Sequence, residues 1–273
     1  MSKQIFYSSS LPRAGSTLFQ NIMADNPDFY CTPTSGLIEL VLNAKNIFNQ
    51  SQAFQAQDLN KMERPLVEFC RKGMEGYFDS LTDAPYVLDK SREWSINYDL
   101  INRLFPNPKI ICMVRDPRAI YASMEKNFRK NPTRNSGVQD ANQLVGTTLD
   151  KRINHWADNV PVGLSMDRLK DCMQQGIGKK MLFVRYEDLM SNPEQEIRRV
   201  YEYLELPYYE GHNFETVTQH THENDTVHGV FGDHTLRTKF EKLPDDYEDV
   251  LGYDLSTNIK NTYPWFYTNF GYI

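Results

Sequence analysis

Ile5-Phe6-Tyr7-Ser8-Ser9-Ser10-Leu11-Pro12-Arg13-Ala14-Gly15-Ser16-Thr17-Leu18-Phe19 reads as a strand, a tight turn and the start of a helix. Gly15 has no Cβ, so the backbone there can come close to a ligand. The first N–H groups of a helix opening at Ser16 have no partners inside the helix, and the helix dipole adds partial positive charge. An anion fits at such a turn. Ser16 and Thr17 add hydroxyls, and Arg13 adds a permanent forked charge. Taken alone, the stretch could equally be a helix start beside a surface arginine.

A second segment repeats the arrangement. Ile110-Ile111-Cys112-Met113 runs into Val114-Arg115-Asp116-Pro117-Arg118-Ala119-Ile120-Tyr121-Ala122-Ser123. Asp116 can cap a helix whose first turn takes Pro117. Arg115 ends the strand on the ligand-bearing edge of a parallel sheet. Ser123 lies about two helical turns on, on roughly the same side as Asp116 and Ala119. Two such segments in one orientation point to one ligand with two separate phosphates. A nucleotide triphosphatase or kinase loop would need GxxxxGK[ST]. Here Gly15 precedes the hydroxyl residue and the cation sits upstream at Arg13. Val114 is followed by Arg115, where a metal-dependent transferase would place a carboxylate. The expectation is a phosphate-bearing donor used without metal.

The bulk numbers agree with one soluble α/β domain. The chain has 273 residues, 40% hydrophobic, with a net charge of -6; that length can bury a sizeable core. The acidic balance argues against nucleic acid as a partner. No run of about 18 apolar residues exists, so no membrane span is expected. Cys31, Cys70, Cys112 and Cys172 form no CxxC pair. With no leader-like N-terminus, a cytoplasmic location is the expectation.

Strands are predicted at Lys3–Ser9, Lys109–Val114, Met181–Arg185 and, more weakly, Tyr86–Leu88. Helical patterns between them favour a mostly parallel central sheet flanked by helices, one domain over residues 1–273. Asn192–Leu206 is the clearest helix, with Asn192 as cap, Pro193 at its first position and Gln195 at the capping-box position. Leu149, Ile153, Trp156 and Val160 mark another apolar face, which Pro161 should end or kink. Asn43–Arg64 reads as an exposed helical insertion. Gln219–Lys242 reads as a long ordered loop near the ligand.

At this point the residues resemble the sulfotransferase family that uses 3′-phosphoadenosine 5′-phosphosulfate (PAPS). Leu11–Thr17 is similar to its 5′-phosphosulfate loop, and Arg115 with Ser123 to its 3′-phosphate pair. Val184-Arg185-Tyr186-Glu187-Asp188-Leu189, then Asn192-Pro193, is similar to a third segment, whose tyrosine lies near the adenine. Arg13 resembles the tyrosylprotein and bacterial types more than the cytosolic aryl type, which carries lysine there. Leu18 stands where that type has an adenine-stacking tryptophan. The resemblance implies a P-loop-like fold and transfer of a sulfuryl group from PAPS to a hydroxyl or amine, leaving 3′,5′-ADP, with no metal. Arg13 would stabilise the charge on the bridging oxygen, and Arg13, Ala14, Gly15, Ser16 and Thr17 would hold the 5′-phosphate. Arg237 in the late loop would touch the other phosphate.

The acceptor side is less marked. Relatives carry a glutamate shortly after the first helix, where Thr34 and Ser35 stand here; Glu39 follows them. Lys90 resembles a family lysine near the sulfuryl group, and His228 has a suitable ordinary pKa for a base. His220, His222, His228 and His234 match no zinc spacing and read as a polar loop. Peptide tyrosine, a sugar or a small-molecule alcohol are all open as acceptor, and the oligomeric state is not written in the sequence. Lys126, Arg129, Lys130 and Arg134 read as a solvated helix end, and Tyr263–Tyr267 as an aromatic tail packed on the core. Two rival readings remain: a binding module for 3′-phosphonucleotides without activity, and a P-loop kinase.

Overall fold

The computed structural model describes residues 3–130, 143–241 and 246–272, and of residues 229–231 the backbone alone. Five parallel strands form one sheet: β1 (Gln4–Ser10), β2 (Phe29–Thr34), β3 (Tyr86–Lys90), β4 (Ile110–Val114) and β5 (Leu182–Arg185), in the order β2-β3-β1-β4-β5. The register runs Tyr7 beside Ile110, Phe6 beside Leu88 and Val114 beside Arg185. From β1 the chain goes to the edge strand β2, returns to β3 beside β1, then crosses to the other side for β4 and β5. The order therefore reverses around β1, and such a switch point opens a crevice at the strands' C-terminal ends.

Both faces of the sheet are covered, as a parallel sheet requires. Alternate side chains of one strand go to opposite faces. Phe6, Leu88 and Ile111 join a core with α1 (Ser16–Met23), α6 (Pro117–Lys130) and α10 (Pro193–Leu204). Tyr7, Val87 and Ile110 join a second core. It is closed by α2 (Leu37–Gln50), α4 (Leu59–Leu81) and α5 (Tyr98–Leu104), with the short α3 (Gln52–Gln55) between the first two. The helices α7 (Leu149–Asp158), α8 (Val162–Gln174) and α9 (Tyr186–Ser191) complete the middle of the chain. At its end come α11 (Tyr247–Leu251), α12 (Tyr253–Thr262) and α13 (Pro264–Phe270).

Several expectations are adjusted. Phe29–Thr34 is a strand that the sequence did not announce. It carries Pro33 and lies at the sheet edge, where a missing N–H is tolerated. The stretch 43–64 is helical and mostly exposed, as expected, and Phe48 is its one buried residue; the part of α2 before it buries Leu37, Ile38 and Val41. Asn192 is the N-cap of α10, but its side chain makes no capping bond. Val160 is exposed, and Pro161 starts α8 after ending α7. The tail packs as expected, with Tyr263, Phe266 and Tyr267 buried. Lys126 pairs with Asp246, and Glu125 takes both Arg129 and Arg152. This basic stretch is thus largely neutralised; Arg134 lies outside the described residues.

Candidate active site

The site is built from strand ends. After β1 the chain turns through Arg13 and Gly15, both with left-handed backbone (φ 57° and 82°), before α1 begins. Tyr186, just after β5, fills the space a side chain at 15 would need. A Cβ there would fall 2.5 Å from the tyrosine Cδ2. After β4, the Arg115 guanidinium lies over the Tyr186 ring at 4.3 Å. Its Nη1 donates to the Arg13 carbonyl at 3.0 Å. Arg115 Nε is buried and has no hydrogen-bond partner among the described residues. A buried guanidinium N–H without a partner is a fit for an anion.

Arg13 and Ser123, predicted to serve different phosphates, meet. Arg13 Nε donates to Ser123 Oγ at 3.1 Å, while Nη1 and Nη2 donate to the carbonyl and carboxylate of Asp233, each at 3.2 Å. The Arg13 head is therefore turned toward the second segment and the late loop. The sequence expectation for Arg13 is the bridging oxygen and the 5′-phosphate; its contacts here are with Ser123 and Asp233. Asp116 caps α6 as predicted, accepting from the Arg118 backbone N–H at 2.8 Å. Asp116 is buried and its partner Arg118 half-buried, and Tyr267 also donates to the carboxylate.

After β3 stands the lysine. Lys90 Nζ reaches Thr17 Oγ1 at 3.4 Å, which places a cation at the opening of α1. It also meets Glu223 Oε1 at 2.6 Å, and both side chains are buried. The same Oε1 accepts from the Thr34 N–H at 3.0 Å and its hydroxyl at 3.1 Å. Burial pushes the Glu223 carboxyl up, but Lys90 and Thr34 outweigh it and hold it down at about 2. Beside Lys90, Asp89 is fully buried and accepts from Trp94 Nε1 at 2.9 Å. Burial raises its carboxyl to about 6.

Glu39 is exposed in the first turn of α2 and meets none of these groups among the contacts described. The carboxylate at Thr34 comes instead from Glu223, far along the chain, which sequence reasoning missed. The late loop itself comes to these residues, in keeping with its reading as an ordered loop near the ligand. The histidines predicted to be a plain polar loop bring His228 Nε2 to 3.3 Å and His234 Nε2 to 3.6 Å from Glu223 Oε2. Arg237 is exposed, with no described contact to the phosphate-handling residues. The dense run His220-Thr221-His222-Glu223-Asn224-Asp225 was the available signal; its target, Lys90, could not be read locally.

A glycine turn at a helix start, a second arginine one strand over and a lysine between them define a nucleotide-binding domain of the phosphate-loop kind. The profile of the sulfotransferase family matches residues 9–210, and the chain belongs to that family. Members move a sulfuryl group from PAPS to an acceptor, and the kinase and inactive-module readings give way to this one. Protein-tyrosine sulfotransferase A of Caenorhabditis elegans is 25% identical over 72% of this chain and 49% of its own length. This chain thus spans about half of that relative. A Caenorhabditis briggsae protein named for the same activity is also 25% identical, over 94% of this chain and 91% of its own. The fold is that of the sulfotransferase domain from the curacin biosynthetic pathway (TM-score 0.53, 16% identity, covering 97% of this chain and 98% of that one). It is likewise that of the domain from the Synechococcus PCC 7002 olefin synthase (0.54, 18%, 96% and 94%).

Proposed function

We propose that this domain transfers the sulfuryl group of PAPS to the phenolic hydroxyl of a peptide tyrosine. The observation that carries the donor half is the meeting of Arg13, Ser123 and Arg115 beside the Gly15 turn. Arg115 and Ser123 would hold the 3′-phosphate, with Tyr186 under Arg115. The α1 N–H groups, Thr17 and Lys90 would hold the 5′ end. When bound, the donor supplies an activated sulfuryl group on a phosphate oxygen. Lys90 stands where charge develops on that oxygen as the bond breaks, and a fixed cation there lowers the barrier. Arg13, shared with Ser123 and Asp233, orients the turn and adds positive charge. No step in this account calls on a metal.

The acceptor half rests on the relatives: those named for tyrosine cover 72% and 94% of this chain. Carbohydrate sulfotransferase 1 of Rattus norvegicus, 33% identical, covers 37%. A cytoplasmic setting is part of the reading, supported by four buried, free cysteines. Among the described residues no helix is long and apolar enough to cross a membrane. The test is transfer of labelled sulfate from PAPS to a panel of a tyrosine peptide, a sugar and an alkyl alcohol. Labelling of the peptide is expected; labelling of the sugar or alcohol alone would replace the acceptor class.

A further inference from the structure

Three polar atoms, Glu223 Oε2 and Nε2 of His228 and His234, converge near Lys90, and no hydrogen bond joins them among the described residues. Glu223 Oε1 is fully engaged by Lys90 and Thr34. Oε2 of the same carboxylate is buried and accepts no hydrogen bond among the described residues. It faces Nε2 of both His228 and His234. The far side of His234 is different. Its Nδ1 lies 2.6 Å from Asp225 Oδ1, and its backbone N–H donates to the same carboxylate at 3.2 Å. The proton of a neutral ring therefore sits on Nδ1, and Nε2 presents a lone pair to an anionic oxygen. That juxtaposition is unfavourable until a proton arrives. Once it does, an imidazolium lies between two carboxylates.

We propose that His234 Nε2 takes the proton of the acceptor hydroxyl and that Asp225 is the positioning residue that fixes its tautomer. This rests on the sulfotransferase reading above. In the step, the acceptor oxygen forms a bond to sulfur as the bond from sulfur to the 5′-phosphate oxygen breaks. The electron pair stays on that phosphate oxygen, and the acceptor proton passes to Nε2 and from there to solvent.

The competing groups fit less well. Glu223 is held at about 2, which makes it a weak base. Glu39 is exposed and apart. His228 is more open than His234, and no carboxylate bonds its Nδ1 among the described residues. Burial lowers the His234 pKa from its usual value, which keeps the ring neutral and ready near pH 7. The charged and titratable groups facing it are Asp225, Glu223, His228 and Lys90; the first two pull its pKa up and Lys90 pushes it down. Glu223, His228 and His234 also have the donor types of a divalent-metal site.

The test uses the full chain, PAPS and two phenols: unsubstituted phenol, whose proton must be removed, and 4-nitrophenol, largely ionised at pH 8. His234→Gln should lose roughly 100-fold or more in kcat on phenol and far less on 4-nitrophenol. Calorimetric binding of 3′,5′-ADP should stay within about twofold. Asp225→Asn should lower kcat and move the acid limb of its pH profile to lower pH, because Asp225 supports the protonated ring. Equal losses of His234→Gln on both phenols, or a full rate on phenol, would overturn the assignment. So would activity abolished by a chelator and restored by zinc, or a loss confined to Glu223→Gln. A wild-type chain that neither binds 3′,5′-ADP nor transfers to any acceptor would instead remove the sulfotransferase reading beneath it.

Discussion

Arg13 Nε donates a hydrogen bond to Ser123 Oγ at 3.1 Å, across 110 residues of chain. The bond joins the turn after β1 to the helix after β4, so the two anion-handling segments form one surface. Arg115 adds a second tie by donating to the Arg13 carbonyl. Nucleotide binding and the geometry of this double link should therefore change together.

Arg115→Lys should remove most of the preference for a 3′-phosphate. A lysine can keep the charge, but it cannot bond the Arg13 carbonyl, lie over Tyr186 and offer a fork all at once. Calorimetry with 3′,5′-ADP and 5′-AMP measures this. The affinity ratio of the two should fall by about tenfold or more; an unchanged ratio would place the 3′-phosphate elsewhere.

Gly15→Ala should fold less stably by about 1–3 kcal/mol and bind 3′,5′-ADP poorly. The φ of 82° is strained for alanine, and the new methyl would collide with the Tyr186 ring. Tyr186→Ala in the same background relieves the collision but not the strain. It should recover part of the stability in a denaturant titration while leaving binding weak.

Asp233→Asn should tighten 3′,5′-ADP binding by about two- to fivefold, the scale of a part-exposed ion pair. The carboxylate now shares Arg13 with any incoming phosphate. The gain should shrink as salt is raised. Weaker binding in the variant would show that Asp233 holds Arg13 in place rather than competing for it.

Asp89 sets a pH signature. Its folded pKa, raised by burial to about 6, lies above the value of an unfolded aspartate. The folded state thus binds this proton more tightly, and stability drains away as pH rises from about 4 through 6. Relative to Asp89→Asn, the wild type should lose about 3 kcal/mol over that interval. Urea titrations at pH 4 and pH 7 measure the difference. Glu223 acts in the opposite sense: its support is present above about pH 4.5 and is lost as pH falls toward 2.

What the sequence disclosed was local. The turn at Arg13–Thr17, the strand ends at Arg115 and Lys90 and the apolar faces of α1 and α10 all lie within a few residues of their causes. Proline in Phe29–Thr34 hid an edge strand, since its cost depends on which side of the strand is paired. Glu223 stayed hidden for another reason: its partner Lys90 is 133 residues away. Glu39 looked preferable by proximity alone, yet its helix turns it to solvent. The direction of the Arg13 head was equally unreadable, because Asp233 lies 220 residues downstream.

The gripping surface draws on the ends of β1, β3, β4 and β5 and on the loop near Asp233, and none of these is near another in the chain. A nucleotide that touches them all can recognise only the assembled sheet. The donor or its product would then act as a folding ballast: at a concentration one hundred times its Kd it adds about 2.7 kcal/mol to the domain. Melting temperature becomes a gauge of cofactor supply, and the domain should resist proteolysis best where PAPS is plentiful.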